Sequence, residues 1–397
     1  MKIGLFTDTY HPQINGVATS ILMLQENLQA MGHEVFVFTT TDPGATGREE
    51  NIYRIPSIAY SVSRIGTFVS PRLIKTIKRL GIEVIHTHTE FTLGILGKYM
   101  ARSMGIPLVH TMHTMYEFYT NYVVKINRME PAARAAARKM TSLFCNGVDR
   151  VIVPTGKICD LLLSYGITKP IVTIPTGLEL ERFDAQAGDD EKLATLRQEF
   201  GITNEDKVLV NIGRISREKN LDEIIGAMQK YLPTHPNVKL LIVGDGPARE
   251  ELQGLATRLD MQGQVVFAGA RPWSDIRLYY KLGDVFVGAS QSETQGLTYM
   301  EAMACGVPLV VKQDRCLDGV LAQGENGYAF LEEEGFLQAL EGCLHDEAEL
   351  KRLSCAAAET AQGFSATQFA QTVLALYHET IEESANKHNT NTTTLQQ

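Results

Sequence analysis

The stretch SETQGLTYMEAMACG (292–306) carries two carboxylates, Glu293 and Glu301, separated by seven residues in an otherwise small and apolar run. Leu297, Met300, Glu301 and Ala304 fall at the i, i+3, i+4, i+7 spacing of one helical face, so Glu301 shares an apolar face. A buried carboxylate without a partner is costly, and an adjacent diol such as a ribose offers a fitting pair of donors. Glu293 stands just before the helix start, where backbone N–H groups and the helix dipole attract anions. A diphosphate there would leave sugar hydroxyls beside Glu293. The competing reading has Glu293 capping the helix and Glu301 pairing with an internal Arg or Lys. A second stretch, NIGRISREKN (211–220), ends a strand pattern and presents Arg214 and, five positions on, Lys219. Two cations on a strand-to-helix loop suit a pyrophosphate, or are plain solvated charge. Asn220 and Glu223 have the N-x-x-E spacing of a capping box that would fix the next helix start.

Histidines gather in the first half. HTHTEF (86–91) brings His86, His88 and Glu90 to a strand end, and HTMHTMYEFY (110–119) brings His113, Tyr116 and Glu117 to another. His86 and His88 share one side of a strand and no third ligand is in view, so packing or acceptor contacts are favoured over a metal. Taken alone, His113 reads as a satisfied histidine at a strand end. There is no D-x-D pair, which leaves any diphosphate to the cations and a helix dipole. The cysteines at 145, 159, 305, 316, 343 and 355 lack C-x-x-C spacing and read as reduced, structural thiols.

The elements that must position these residues come as two successive arrays of β-branched runs alternating with amphipathic stretches. KIGLF (2–6), EVFVFT (34–39), EVIHT (83–87), PLVHT (107–111), RVIVP (150–154) and IVTIP (171–175) form the first array. KVLVNIG (207–213), VKLLIVG (238–244), VVFAG (265–269), DVFVGA (284–289) and PLVV (308–311) form the second. Two doubly wound α/β sheets follow, with the boundary near IPTGLELERF (174–183) and ligands expected at the C-terminal ends of strands. A chain of 397 residues suits two domains, and no run approaches the roughly 20 apolar residues of a membrane span. MKIGLFTDTY reads as a first strand rather than a signal peptide, so a cytoplasmic protein is expected.

Charge divides along the chain. Residues 1–175 hold 18 Lys+Arg against 12 Asp+Glu, while the whole chain stands at −9. The excess concentrates in RIGTFVSPRLIKTIKRLG (64–81), with Arg64, Arg72, Lys75, Lys78 and Arg79 among Phe68, Leu73, Ile74 and Ile77, and in KINRMEPAARAAARKM (125–140). Such stretches suit an anionic membrane surface, each cation adding about 1 kcal/mol near it, or are ordinary amphipathic helices packed on a sheet. Nucleic acid is disfavoured, since no stacking aromatics interleave with the cations.

Taken together, E-x7-E (Glu293 to Glu301), R-x4-K (Arg214 to Lys219) and Gly16 in QINGV after the first strand resemble the retaining GT-B glycosyltransferases of family 4. The resemblance runs over nearly the whole chain. It implies two Rossmann-like domains facing a central cleft: 1–175 for the acceptor and membrane, 176–365 for a nucleotide-sugar. Residues 366–384 would be a helix returning to the first domain, and 385–397 a polar, disordered tail. It implies Arg214 and Lys219 on the donor diphosphate, Glu301 on the ribose and Glu293 on the transferred sugar. The backbone of Gln295, Gly296 and Leu297 would cradle diphosphate and sugar, Gly16 would admit close approach to the donor, and Arg271 would neighbour the nucleobase. His113 would lie near the sugar and the acceptor hydroxyl, with His88, Tyr116 and Glu117 on the acceptor side.

The common family form has Gly and Phe after the first glutamate, where Thr294 and Gln295 stand here. SETQGLTYMEA and HTMYE are instead similar to bacterial 1,2-diacylglycerol 3-alpha-glucosyltransferases. The implied reaction moves glucose from UDP-glucose to the 3-hydroxyl of 1,2-diacylglycerol with retention, at the inner face of the cell membrane. No tightly bound cofactor and no D-x-D-bound metal is implied, which is compatible with stimulation by Mg2+. Alternatives are another hexose donor, a glycolipid or soluble acceptor, a nucleotide-sugar epimerase and a non-catalytic sensor.

Overall fold

The computed structural model describes residues 1–13, 15–45, 49–60, 63–119 and 129–394; Lys125 and Arg128 of the second basic stretch lie outside them. The chain divides into two units, one of Met1–Gly177 with Ala366–Gln397, the other of Leu178–Ser365.

The strands of the first unit are β1 (Lys2–Phe6), β2 (Glu34–Thr40), β3 (Ile52–Ile55), β4 (Ser57–Tyr60), β5 (Ser63–Gly66), β6 (Val84–Thr87), β7 (Leu108–Thr111), β8 (Arg150–Val153) and β9 (Ile171–Thr173). β4 and β5 form a separate hairpin; the rest make a parallel sheet of order β3-β2-β1-β6-β7-β8-β9. Its helices are α1 (Gly16–Ala30), α2 (Pro71–Arg79), α3 (Thr92–Met104), α4 (Glu130–Cys145) and α5 (Gly156–Ser164). Alternation sorts the side chains: Ile3, Leu5, Val35 and Val37 enter one core, while Phe6, Phe36 and Phe38 enter the core on the other face. Both faces are covered, so the strands read as nearly continuous apolar runs.

The second unit has β10 (Lys207–Ile212), β11 (Val238–Val243), β12 (Val265–Gly269), β13 (Val285–Gly288), β14 (Leu309–Lys312) and β15 (Gly327–Phe330), again parallel, in the order β12-β11-β10-β13-β14-β15. Around them lie α6 (Asp189–Glu199), α7 (Leu221–Tyr231), α8 (Arg249–Arg258), α9 (Ile276–Leu282), α10 (Leu297–Ala304), α11 (Glu333–Leu344) and α12 (Glu347–Gln362). The last helix, α13 (Ala366–Thr394), belongs to the first unit, where Phe369, Val373 and Tyr377 are buried against α1 and the sheet.

Both sheets are the doubly wound α/β type expected, and every run read as a strand forms one, within two residues at either end. Unforeseen were β3, whose IYRI is interrupted by Arg54, the short hairpin, and β15, whose GYAF is short and half-buried at its centre. Two local expectations fail. Asn220 does not cap α7 with its side chain: its backbone is left-handed (φ 50°), its Nδ2 donates to the Ala289 carbonyl at 3.1 Å, and Glu223 is held by Lys312 at 2.6 Å. The last helix runs past residue 384 to Thr394, because a helix fixed by a docked apolar face extends at little cost through a polar segment.

Candidate active site

In each sheet the strand order reverses at one point, and the loops leaving the two central strands there diverge to form a crevice. In the second unit those strands are β10 and β13. Gly213 and Arg214 follow β10, and Ala289 and Ser290 follow β13. A small, open pocket lies there, lined among others by Gly213, Arg214, Lys219, Ser290, Glu293 and Tyr299. Thus Arg214, Lys219 and Glu293, distant in sequence, share one site.

Its electrostatics are paired. Lys219 Nζ donates to Glu293 Oε1 at 2.5 Å, and Arg214 Nη2 donates to Glu218 Oε1 at 2.6 Å. Ser216 Oγ also donates to Glu218 at 2.7 Å, and Asn220 ties the first loop to Ala289. An anion entering the pocket would compete with these two carboxylates for the cations.

Glu301 does not line that pocket. It lies on the buried face of α10, 9% exposed, where Tyr280 OH donates to its Oε2 at 2.6 Å. Its partner is a phenol from α9 rather than an internal Arg or Lys. Burial pushes its pKa from the ordinary 4.5 up to about 7, against the opposing effect of the Tyr280 hydrogen bond. Gln295 is buried, Gly296 precedes α10 with φ 78°, and Leu297 is its first residue. Arg271 lies two residues beyond β12, where it donates to the Ala268 carbonyl, pairs with Glu199 and covers the rings of Phe200 and Tyr279.

The first unit has its own crevice, between β1 and β6. Asp8 after β1 accepts hydrogen bonds from Thr89 Oγ1 (2.6 Å) and from the Leu93 amide at the start of α3, and burial raises its pKa to about 6. His86 is fully engaged, by Tyr377 OH at 2.6 Å and Thr111 Oγ1 at 2.7 Å. His88 Nδ1 lies 3.0 Å from Nε2 of His113, the two rings stacked. Glu90 is buried 3.6 Å from His110. Tyr116 packs edge-on against Phe91, and Glu117 is buried and paired with Arg138 of α4. Gly16 opens α1 behind Asn15, whose side chain accepts from the Ala18 amide at 2.9 Å.

Sequence reasoning missed Glu218, Tyr280, Asp8 and His110 as members of these sites. Glu218 lies between Arg214 and Lys219 in the 211–220 loop, four positions after Arg214. Asp8 had a usable signal: a carboxylate two residues past a buried first strand, at the ligand end of the sheet. Among the described residues no cluster of His, Cys, Asp and Glu is arranged to hold a metal ion.

Comparison with known proteins agrees with this architecture. The family profile "Glycosyltransferase Family 4" matches residues 14–182, and "Glycosyl transferases group 1" matches residues 194–360. The chain is 39% identical over 344 residues to the alpha-monoglucosyldiacylglycerol synthase of Streptococcus pneumoniae, covering 86% of this chain and 77% of that protein. It is 32% identical to the alpha-monoglucosyldiacylglycerol synthase of Acholeplasma laidlawii, covering 98% and 100%. Among solved structures, HepE of Anabaena in complex with UDP-glucose superposes with a TM-score of 0.74 at 18% identity, covering 96% of this chain and 100% of that one. The fold and site define a glycosyltransferase of the GT-B type, an enzyme of hexosyl transfer. The chain belongs to glycosyltransferase family 4.

Proposed function

We propose that this enzyme transfers glucose from UDP-glucose to the 3-hydroxyl of 1,2-diacylglycerol, with retention of the α configuration. The observation that carries the reading is the cation–carboxylate pocket at the β10/β13 switch point, in a chain 32% identical to the Acholeplasma synthase along that protein's entire length. The donor diphosphate takes Arg214 and Lys219 from Glu218 and Glu293. The two cations, once paired with the diphosphate, neutralise charge as the leaving group departs. Glu293, released from Lys219, accepts hydrogen bonds from the hydroxyls of the transferred sugar. Glu301 holds the ribose, and Arg271 stands near the base. His113, of the first unit, is the residue assigned to the sugar and acceptor in this reading. No carboxylate is placed as a covalent nucleophile, which favours displacement on the face the leaving group vacates, with the departing phosphate accepting the acceptor's proton.

The acceptor reaches the site from an anionic membrane surface. Arg72, Lys75, Lys78 and Arg79 are exposed on α2, beside Phe68 at 60% exposure, while Ile77 alone on that helix is fully buried. No described helix is long and apolar enough to cross a membrane, so attachment is peripheral in this reading. Mass analysis of products from UDP-glucose, UDP-galactose and GDP-mannose with diacylglycerol vesicles tests it. A single α-glucosyl product from UDP-glucose is expected. Transfer only to an acceptor that already carries a sugar, or only from another donor, would replace this reading with the corresponding alternative.

A further inference from the structure

His88 is 2% exposed, and its Nε2 has no hydrogen-bond partner among the described residues. Its other nitrogen meets Nε2 of His113 at 3.0 Å. That contact requires one ring to donate and the other to accept, which leaves two tautomer assignments. If His113 donates from Nε2, His88 must carry its own proton on Nε2, a stranded N–H in the interior. If His88 donates from Nδ1, its Nε2 is only an unfilled lone pair, and His113 carries its proton on Nδ1. Buried N–H groups without an acceptor are rarer in proteins than under-used acceptors, so the second assignment is the stable one. His113 is half-buried, and its Nδ1 is not among the buried nitrogens that lack a partner, so this assignment strands no known N–H there.

We propose that His88 is a positioning residue that holds His113 in the Nδ1–H tautomer, so that His113 meets its substrate as a hydrogen-bond donor at Nδ1. The functional half rests on the glucosyl-transfer reading; the tautomer does not. The surroundings keep both rings neutral. Burial, with His110 second, pushes the His113 pKa down to about 3, and burial, with the His86 ring 4.0 Å away second, holds the His88 pKa well below the ordinary imidazole range. His86 has no freedom to compete for the contact, since Tyr377 and Thr111 occupy both its nitrogens. A donor at this position orients a hydroxyl through its lone pair and leaves the hydroxyl's proton free to depart toward the leaving phosphate.

Long-range 1H–15N spectra of the full chain labelled in its histidines decide the matter, with His113→Gln supplying the assignment. The expected result is a pyrrole-type Nδ1 and a pyridine-type Nε2 in His113, unchanged from about pH 5.5 to about pH 8. A protonated Nε2, or an imidazolium within that range, overturns the proposal. His88→Leu removes the lock and is expected to give a mixture of His113 tautomers and about a tenfold loss in kcat/KM, while His88→Asn, which keeps a donor near Nδ1, restores both. An unaltered tautomer in a folded His88→Leu variant also overturns it; should that variant not fold, the wild-type spectrum still decides. Absence of glucosyl transfer by the wild type removes the substrate role of His113 and leaves the tautomer result standing.

Discussion

At the scale of single residues, the donor pocket separates activity from stability. The pairs Arg214–Glu218 and Lys219–Glu293 have cations about a third exposed, so each contributes less than about 1 kcal/mol to folding. Arg214→Ala and Lys219→Ala should therefore leave the melting temperature nearly unchanged while lowering kcat by about a hundredfold or more, as loss of a transition-state charge stabiliser does. A melt beside a rate assay reads both, and full activity in the double variant sinks the assignment. Glu301 behaves oppositely, since its charge state is tied to burial. Below the ordinary carboxylate pKa of 4.5 both folded and unfolded chains hold its proton. Between there and about pH 7 only the folded chain does, so stability falls as pH rises through that window, by roughly 3 kcal/mol at most. Asp8 acts in the same direction but is common to wild type and variant, so the difference between wild type and Glu301→Gln isolates Glu301. If ribose hydroxyls donate to this carboxylate, UDP binding near pH 7 releases more protons in the wild type than in Glu301→Gln, the terminal phosphate of UDP, with a second pKa of about 6, contributing equally to both. Calorimetry in buffers of different ionisation heat measures the difference, and equal proton release in the two proteins removes the ribose role. Residue spacing made Glu301's burial legible, because helical periodicity is local. The phenol that answers it sits 21 positions away on another helix, and no local pattern points there.

At the scale of elements, the pocket depends on loops brought closer than side chains allow. Gly244, after β11, has φ 138°, and a Cβ there would lie 1.9 Å from the carbonyl oxygen of Gly213, the residue that carries Arg214 out of β10. Gly244→Ala must push that loop aside, and it should weaken UDP binding more than tenfold while costing about 1–3 kcal/mol of stability. Gly226→Ala, inside α7 with nothing within 4 Å of the new Cβ, is the control, expected to stabilise by about 0.5–1 kcal/mol with UDP affinity intact. Equal UDP affinity in both variants would show that the loop does not depend on the contact. This device was invisible beforehand for a physical reason: a glycine at a strand end signals a turn, but which backbone it must admit is set by the neighbouring strand. The capping box failed similarly. The N-x-x-E spacing of Asn220 and Glu223 was real, yet Ala289, just past β13, and Lys312 on β14 offered those side chains other partners. Strands, by contrast, were legible nearly throughout, because parallel strands buried on both faces leave long apolar runs.

At the scale of the whole molecule, the first unit is closed by the far end of the chain. α13 brings Phe369, Ala370, Val373, Leu376 and Tyr377 into the core shared with β1, β2 and α1, so the second unit is an insertion within the first in sequence. The joint is polar as well as apolar. Tyr377, fully buried, meets His86 Nδ1 at 2.6 Å, and the His86 ring lies tilted against that of His88, 4.0 Å away. Tyr377→Phe keeps the ring and removes only the hydroxyl, which leaves a buried imidazole nitrogen without its partner. Such a loss costs about 1–3 kcal/mol, and none of it falls on the second unit. The variant should therefore melt at lower temperature by whatever probe reports the first unit, with UDP affinity unchanged, because Arg214, Lys219 and Glu301 belong to the second unit. Hydrogen exchange read separately in the two units makes the test direct. Faster exchange should appear in β1, β6, β7 and α13 and not in β10 or β13. Equal acceleration in both units would mean that they unfold as one cooperative body and that α13 stabilises more than the unit it joins.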